Sequence, residues 1–515
     1  MTLTLETAVG YVRPCRDGRS ASVAPMSRVR LRSNARSCAA SLAVPLLLAA
    51  CVAPPIAPDE PAAAVPIPAR WSESAAAPAT DLTAWWLRFG DSELSALVGD
   101  AIAASPTLQS AMAALRQSRA LVDVATASLA PSLSGDAGAQ RSRTRGQSSA
   151  SSFSLGLSAS WEPDLWGGAR AGVRAAQADA RATQMSLANA QVMLAAEVAL
   201  AYIDVRSAQA RLAIARSNLA AQEDTLQIAR WRSQAGLVSS LDVEQAITAA
   251  EQTRATVPQL QTTLAQARHR LAVLSGRPPG ALADLGHAPV PLPPDDLALA
   301  FPADTLRQRP DLRQAEAQVQ AAWARLAQAD AKRYPALNLS GSLGLQALTL
   351  GSLTGGGSVV SAIAAGLSAP LFDGGAIAGN IRAQQAALEQ ARAEYRASVL
   401  TALQDVEDAL VALQGDRARN LSLDAAARAA GRADELARQQ YQAGLVDFRT
   451  VLETQRSLLA AQDSAASVRA SLATDHVSLY KALGGGWQPE PADGAAPAAD
   501  TAPTPPIPAR RQPSP

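Results

Sequence analysis

Residues that commonly perform catalysis or bind metal ions are scarce in this 515-residue chain, which holds three cysteines and three histidines. The histidines, His269, His287 and His476, lie far apart in the sequence. We expect each to be a solvated or helix-face residue rather than a metal ligand. The chain contains no paired-cysteine motif, no HExxH and no Gly-x-Ser-x-Gly. The sequence therefore predicts no metal site and argues against an enzyme.

Cys51 stands in a context that favours covalent modification. A basic stretch at residues 28–36 precedes an apolar run at 38–50. At about 13 residues this run is too short to span a bilayer and is typical of a signal peptide. It ends in Leu48-Ala49-Ala50-Cys51, which resembles a bacterial lipobox, in which the cysteine becomes the new N-terminus and carries lipid. The alternative is a plain signal peptide followed by a chance cysteine.

We therefore predict a signal peptide at 1–50 and a covalent lipid on Cys51. No other cofactor is predicted. Residues 1–25 include Glu6 and Asp17 and are atypical of an export signal, so translation is expected to start at Met26. Loss of residues 1–50 removes seven Arg, one Asp and one Glu, leaving 39 basic and 43 acidic residues, a net charge of −4. That balance does not suggest a nucleic-acid partner.

An internal repeat organises the rest of the chain, with an offset of roughly 204–208 residues between matching segments. The matched pairs are Ser105-Pro106-Thr107-Leu108 with Arg309-Pro310-Asp311-Leu312, Ala130-Pro131-Ser132-Leu133-Ser134 with Tyr334-Pro335-Ala336-Leu337-Asn338, Leu165-Trp166-Gly167-Gly168 with Leu371-Phe372-Asp373-Gly374-Gly375, and Ala235-Gly236-Leu237-Val238 with Ala443-Gly444-Leu445-Val446. These pairs predict duplicated units at 81–280 and 296–486, joined by a Pro-rich linker at 281–295. Pro/Ala-rich segments at 51–80 and 487–515 are predicted to be unstructured.

Each unit is predicted to contain two strands, because apolar and small polar residues alternate with a period of two. The predicted apolar positions are Leu133, Gly135, Ala137 and Ala139; Phe153, Leu155, Leu157, Ala159 and Trp161; Leu337, Leu339, Leu343 and Leu345; and Val359, Ile363, Leu367 and Leu371. Runs of roughly 9–12 residues have the length of tilted transmembrane strands. A soluble hairpin packed on helices is the alternative.

A very long helix is predicted after each pair of strands, at 169–235 and 376–443, because proline is absent from both segments. Large apolar residues recur every seven positions, as at Val198, Val205 and Leu212, which favours side-by-side helix packing. Shorter return helices are predicted at 239–275 and 447–483. Four strands cannot close a barrel, and open edges in lipid leave backbone groups unpaired, so several chains must assemble.

Several motifs resemble those of the TolC-like outer-membrane factors, and the closest branch is the lipoprotein subunits of tripartite efflux pumps. They are Trp85-Trp86 with Phe89, Asp91 and Leu94; Trp161-Glu162-Pro163-Asp164-Leu165-Trp166-Gly167; Ala235-Gly236-Leu237-Val238 with Leu241-Asp242-Val243; Arg309-Pro310-Asp311-Leu312; and Asp405-Val406-Glu407-Asp408-Ala409-Leu410. The resemblance implies a homotrimer in the outer membrane. It further implies a 12-stranded β-barrel on an α-helical tunnel, with a periplasmic adaptor and an inner-membrane transporter as partners.

The resemblance also implies roles for the two turns between helices. Adaptor docking is implied for Gly236, Leu237, Val238, Gly444, Leu445 and Val446, and a closed periplasmic aperture for Asp242, Thr450 and Glu453. The alternatives are ordinary helix ends for the turns and first-turn acids for Asp242 and Glu453. Trp161, Trp166 and Phe372 lie where strands lead into helices. They are predicted either to line the membrane interface or to pack that junction.

Two other functions compete with small-molecule efflux. The first is a periplasmic adaptor lipoprotein, which would need a lipoyl-like domain and one helical hairpin instead of two hairpins with two pairs of strands. The second is the same fold serving type I protein secretion, which the sequence does not separate from efflux.

Overall fold

The computed structural model describes residues 67, 71, 81–143, 145, 149–294 and 307–488. The predicted lipid site at Cys51 lies outside the described residues. The described chain is mainly helical with one β-sheet, as predicted. Its helices are α1 (Ser92–Ala104), α2 (Pro106–Ala127), α3 (Gly168–Gln234), α4 (Ser240–Leu274), α5 (Pro310–Ala331), α6 (Ala376–Gln442) and α7 (Phe448–Ala482). Its strands are β1 (Ser132–Ser142), β2 (Ala150–Trp161), β3 (Ala336–Ala347) and β4 (Val359–Ser368).

The two longest helices, α3 and α6, contain 67 residues each, within a residue of both predicted boundaries. At 1.5 Å per residue each is about 100 Å long. In proteins, most of the stability of a helix comes from the packing of its side chains on neighbouring elements. The helix α3 is apolar enough in part to cross a bilayer, but more than half of that part is buried inside the protein. Most of that part therefore belongs to the protein core.

Small side chains let the helices approach closely. The main core follows α3, where Ala195, Ala199 and Ala201 are fully buried beside Val198 and Tyr202. This core also holds Trp85, whose ring centroid lies 5.4 Å from that of Tyr480 on α7. The N-terminal aromatic motif thus packs on the helices. The two helical hairpins, α3 with α4 and α6 with α7, also pack against each other.

The four strands form one antiparallel sheet in the order β1-β2-β3-β4, so β1 and β4 each have an unpaired edge. The register pairs Leu157 with both Gly135 and Leu343, and Gly341 with Ile363. Directly opposite residues point to the same face of a sheet. The register therefore gathers the predicted apolar positions of all four strands on one face and places most of the serines on the other.

The apolar face is exposed. Leu133 is 72% exposed, Leu343 57% and Ile363 95%, so the protomer does not bury this face as a soluble hairpin packed on helices would. One detail of the strand prediction was wrong. Leu371 lies beyond β4, which ends at Ser368 two residues before Pro370, and proline has no backbone N–H to donate.

Candidate functional site

The two hairpin turns have the same backbone geometry. Gly236 has φ 71° and Gly444 φ 74°, a left-handed conformation that glycine adopts without a steric penalty. The Gly236 N–H donates to Ser233 O at 2.9 Å and the Leu237 N–H to Arg232 O at 2.8 Å. The Gly444 and Leu445 N–H groups make the matching bonds in the second turn. Both helices thus end in a Schellman motif.

The return helices begin differently. Ser239 caps α4 in a capping box, in which its hydroxyl accepts from the Asp242 N–H while Asp242 accepts from the Ser239 N–H at 3.1 Å. Asp447 caps α7 and accepts from the Thr450 N–H and hydroxyl at 2.9 and 2.6 Å. Those two hydrogen bonds lower the pKa of Asp447. A hydroxyl therefore caps the first return helix and a carboxylate caps the second.

The leucines that follow the turn glycines are the most exposed large residues of these turns. Leu237 is 72% exposed and Leu445 75%, whereas Val238 and Val446 are half-buried. A Schellman motif often buries its residue after the glycine against the last helical turn. In this protomer the two leucines are not buried in that way.

The three predicted aperture residues have partners on their own helix ends. Asp242 is held by Ser239, and Thr450 by Asp447. Glu453 forms an ion pair with Arg449 at 3.1 Å, with both side chains exposed. An exposed pair of this kind contributes little to stability. Asp242 thus has the local role of a first-turn acid within the protomer, and its predicted role in an aperture stays a prediction.

Sequence reasoning missed a contact between the two hairpins next to the turns. The Arg232 guanidinium lies over the ring of Tyr441, 4.4 Å from its centroid. Arg232 also donates to the Tyr441 backbone carbonyl at 3.4 Å. The Tyr441 ring in turn packs on Phe448. An arginine and a tyrosine 209 residues apart give no local sequence signal of this cation–π contact.

The exposure of two apolar residues in the helix ends beside the first turn was also not predicted. Trp231 is 61% exposed and Leu241 63% exposed, on either side of Leu237. A tryptophan in an alanine-rich helix was the signal that could have found the first of them.

The aromatic residues at the junction of strands and helices have different environments. Trp166 donates to Pro335 O at 2.6 Å and stacks on Tyr334, with ring centroids 4.9 Å apart. This is the junction packing that the sequence left open. Trp161 donates to Leu129 O at 3.0 Å and keeps 38% exposure, on the apolar face of the sheet. Phe372 is 94% exposed.

Comparison with known proteins gives consistent matches along most of the chain. The sequence profile of a family described as "Outer membrane efflux protein" matches residues 97–277 and 301–485. The pyoverdine export outer membrane protein OpmQ of Pseudomonas aeruginosa is 35% identical over 456 residues, covering 86% of this chain and 95% of that protein. The toluene efflux pump outer membrane protein TtgF of Pseudomonas putida is 32% identical over 419 residues, covering 78% and 85%. The solved structure of the outer-membrane channel OprN superposes with a TM-score of 0.77 at 32% identity, covering 84% of this chain and 98% of that one.

Proposed function

Because this chain belongs to the outer membrane efflux protein family, we propose that three copies of it form a passive exit duct through the bacterial outer membrane. The chain is an outer-membrane component of an efflux system, and its family consists of channel and export proteins. The finer features of the duct are argued below from the residues of this chain.

The observation that carries the proposal is the sheet. It has two unpaired edges, at β1 and β4, and one face of exposed apolar side chains. In a bilayer, each unpaired backbone group costs several kcal/mol, so the sheet must close through other copies. Three copies supply twelve strands, an even number wide enough for a channel. In the closed barrel the apolar face contacts lipid and the serine-rich face lines the water-filled lumen.

Below the barrel, the helices of the same three copies form the wall of a tunnel that extends into the periplasm. The equal lengths of corresponding helices support a duplicated architecture: 67 residues in α3 and α6, 35 in α4 and α7, and 22 in α2 and α5. Two similar hairpins from each chain give six repeating parts around the tunnel. A tunnel of this kind moves cargo without an energy source of its own, and an inner-membrane transporter supplies the energy.

The two turns are the periplasmic tips and the docking surface for an adaptor protein. The exposure of Leu237 and Leu445 supports this role, because neither leucine is needed for packing within the protomer. The Arg232–Tyr441 contact joins the two hairpins at the same end, and we assign it to holding the tunnel closed. Asp242, Thr450 and Glu453 stay in the proposal as residues of the closed aperture.

The cargo is a small molecule, an assignment supported by matched relatives whose names specify export of pyoverdine and toluene. The N-terminal segment anchors the protein through lipid on Cys51. If labelled palmitate still enters a Cys51→Ser protein, the lipid assignment fails and the channel proposal is unaffected.

The channel proposal is tested on the full chain purified in detergent. Light scattering after size exclusion should give three times the protomer mass. In planar bilayers the trimer should conduct ions. A monomeric, water-soluble product would exclude the barrel, since the exposed apolar face could not then be a lipid contact.

A further inference from the structure

Three arginines lie at one end of the sheet. Arg141 is near the end of β1, and Arg143 and Arg145 follow it in the connection to β2. All three are exposed. Among residues 132–161 and 336–368, which span both pairs of strands, the other charged residue is Asp136. The positive charge of the sheet is therefore concentrated at one end.

That end is the one farther from the helices. The register pairs Ser132 with Ser160 and Leu337 with Leu367 at the end where the chain enters and leaves the helices. It pairs Arg141 with Ser151 at the opposite end. With the tunnel in the periplasm, the arginine end lies at the outer surface of the membrane.

The register also determines the face on which Arg141 lies. Positions 133, 137, 139 and 141 alternate with the serines of β1, so Arg141 continues the apolar face. Asp136 is on the other face, and the guanidinium of Arg141 donates to the Ser149 hydroxyl at 3.4 Å. No acidic residue of the described sheet therefore lies on the face of Arg141 to neutralise it.

A guanidinium on a lipid-facing surface is tolerated at the depth of the headgroups and is costly in the hydrocarbon core. The planar group of arginine matches two oxygens of a phosphate, which makes it suited to phosphate recognition. The outer leaflet of this membrane consists largely of lipopolysaccharide, whose lipid A part carries phosphates at headgroup depth. The position, the charge and the apolar surface beneath it are complementary to such a lipid.

We infer that Arg141, Arg143 and Arg145 form a binding site for the phosphate groups of outer-leaflet lipid, repeated three times around the outer rim of the barrel. This inference rests on the proposed barrel, which places the apolar face against lipid. The site fixes the depth of the barrel and attaches lipid to its outer rim.

The test uses the full-length trimer in detergent and native mass spectrometry, with diphosphoryl lipid A as the probe and dephosphorylated lipid A as its control. The wild type should retain the diphosphoryl form preferentially. The variant Arg141→Gln/Arg143→Gln/Arg145→Gln should bind it roughly a hundredfold more weakly, from the usual contribution of each basic residue near an anionic surface. A matched variant, Arg396→Gln/Arg428→Gln/Arg432→Gln, removes equal charge from exposed positions of α6 and should bind like the wild type.

A conservative variant with lysine at all three positions keeps the charge and should bind more strongly than the glutamine variant. Equal retention of both lipid forms, or unchanged binding by a trimeric glutamine variant, would refute the site. Displacement of the lipid by millimolar inorganic phosphate would assign the arginines to a free anion instead. The same spectra report the oligomeric state. If the wild type forms no trimer, the channel proposal fails rather than the lipid site.

Discussion

The two hairpin turns share a backbone but differ in surface chemistry. We define the first tip as residues 231–242 and the second tip as 439–450. The residues five before and five after the turn glycine are Trp231 and Leu241 in the first tip, and Gln439 and Arg449 in the second, all exposed. The first tip therefore adds two large apolar side chains to its exposed leucine, whereas the second adds polar ones.

This difference indicates which features the turn itself requires. A Schellman motif needs glycine and two backbone hydrogen bonds, and both tips have them. The motif does not require particular side chains at the flanking surface positions, so these can differ between the tips. An adaptor contacting both would meet an apolar surface at one tip and a mixed surface at the other.

The largest expected effect comes from charging both tips. Leu237→Asp together with Leu445→Asp should abolish efflux, because a carboxylate in a desolvated contact is costly. Trimer melting should stay almost unchanged, since exposed substitutions usually alter stability by about 0.5 kcal/mol or less. The measurements are drug susceptibility in a strain lacking its own copy and the melting temperature of the trimer.

The two single variants sharpen this comparison. Leu237→Asp should impair efflux more than Leu445→Asp, because it disrupts the larger apolar surface. Lost trimer stability, or full resistance in the double variant, would remove the reason for calling these turns the docking surface.

A smaller effect is expected from truncating the side chain five positions before each turn glycine. Trp231→Ala should weaken adaptor docking by about 2 kcal/mol, the size typical of an aromatic hot spot. Gln439→Ala, at the equivalent place, is the matched control and should have little effect. The measurement is the rate of dye efflux from cells with matched amounts of trimer. Equal loss in both variants would mean that the tips act alike despite their different surfaces.

The contact between the tips should affect closure more than docking. Arg232→Gln removes a cation–π interaction between a half-buried guanidinium and a buried ring, worth about 1 kcal/mol. It should raise the basal conductance of the trimer in planar bilayers about two- to fivefold. Tyr441→Phe keeps the ring that contacts Arg232. Because the buried Tyr441 hydroxyl has no hydrogen-bond partner in the described residues, the conductance of the Tyr441→Phe trimer should match that of the wild type. A conductance unchanged by Arg232→Gln would exclude a role of this contact in closure.

The smallest expected effect is a pH dependence of the helix cap at Asp447. Hydrogen bonds from Thr450 lower the pKa of Asp447 below 3.8, so its capping contribution is complete above that value and is lost as pH falls through the folded pKa. Amide hydrogen exchange at the start of α7, corrected for intrinsic rates, should accelerate below about pH 4. Asp447→Asn, which caps without a charge, should remove this acceleration. An identical profile in Asp447→Asn and the wild type would contradict the assignment.

Much of the fold follows from local patterns in the sequence. The two long helices were predicted to within a residue because neither segment contains proline, which would break a helix, and because large apolar residues recur every seven positions. The strands followed from their period of two, and the turns from glycine between two helical patterns. Leu371 was placed in β4 because its apolar character fits the alternation, while Pro370 shows where the ladder stops. Such features depend on neighbours in the sequence, so the sequence determines them by itself.

Other features were decided only by the tertiary structure. The alternation in each strand leaves open which strands pair, and the register alone brings four apolar stripes and Arg141 onto one face. Trp166 stacks on Tyr334, 168 residues further along the chain, and Arg232 contacts Tyr441 across 209 residues. Leu237 and Leu445 are likewise exposed because no distant segment among the described residues packs against them. These are long-range contacts and exposures, and no local pattern of residues encodes them, because they depend on segments far apart in the chain.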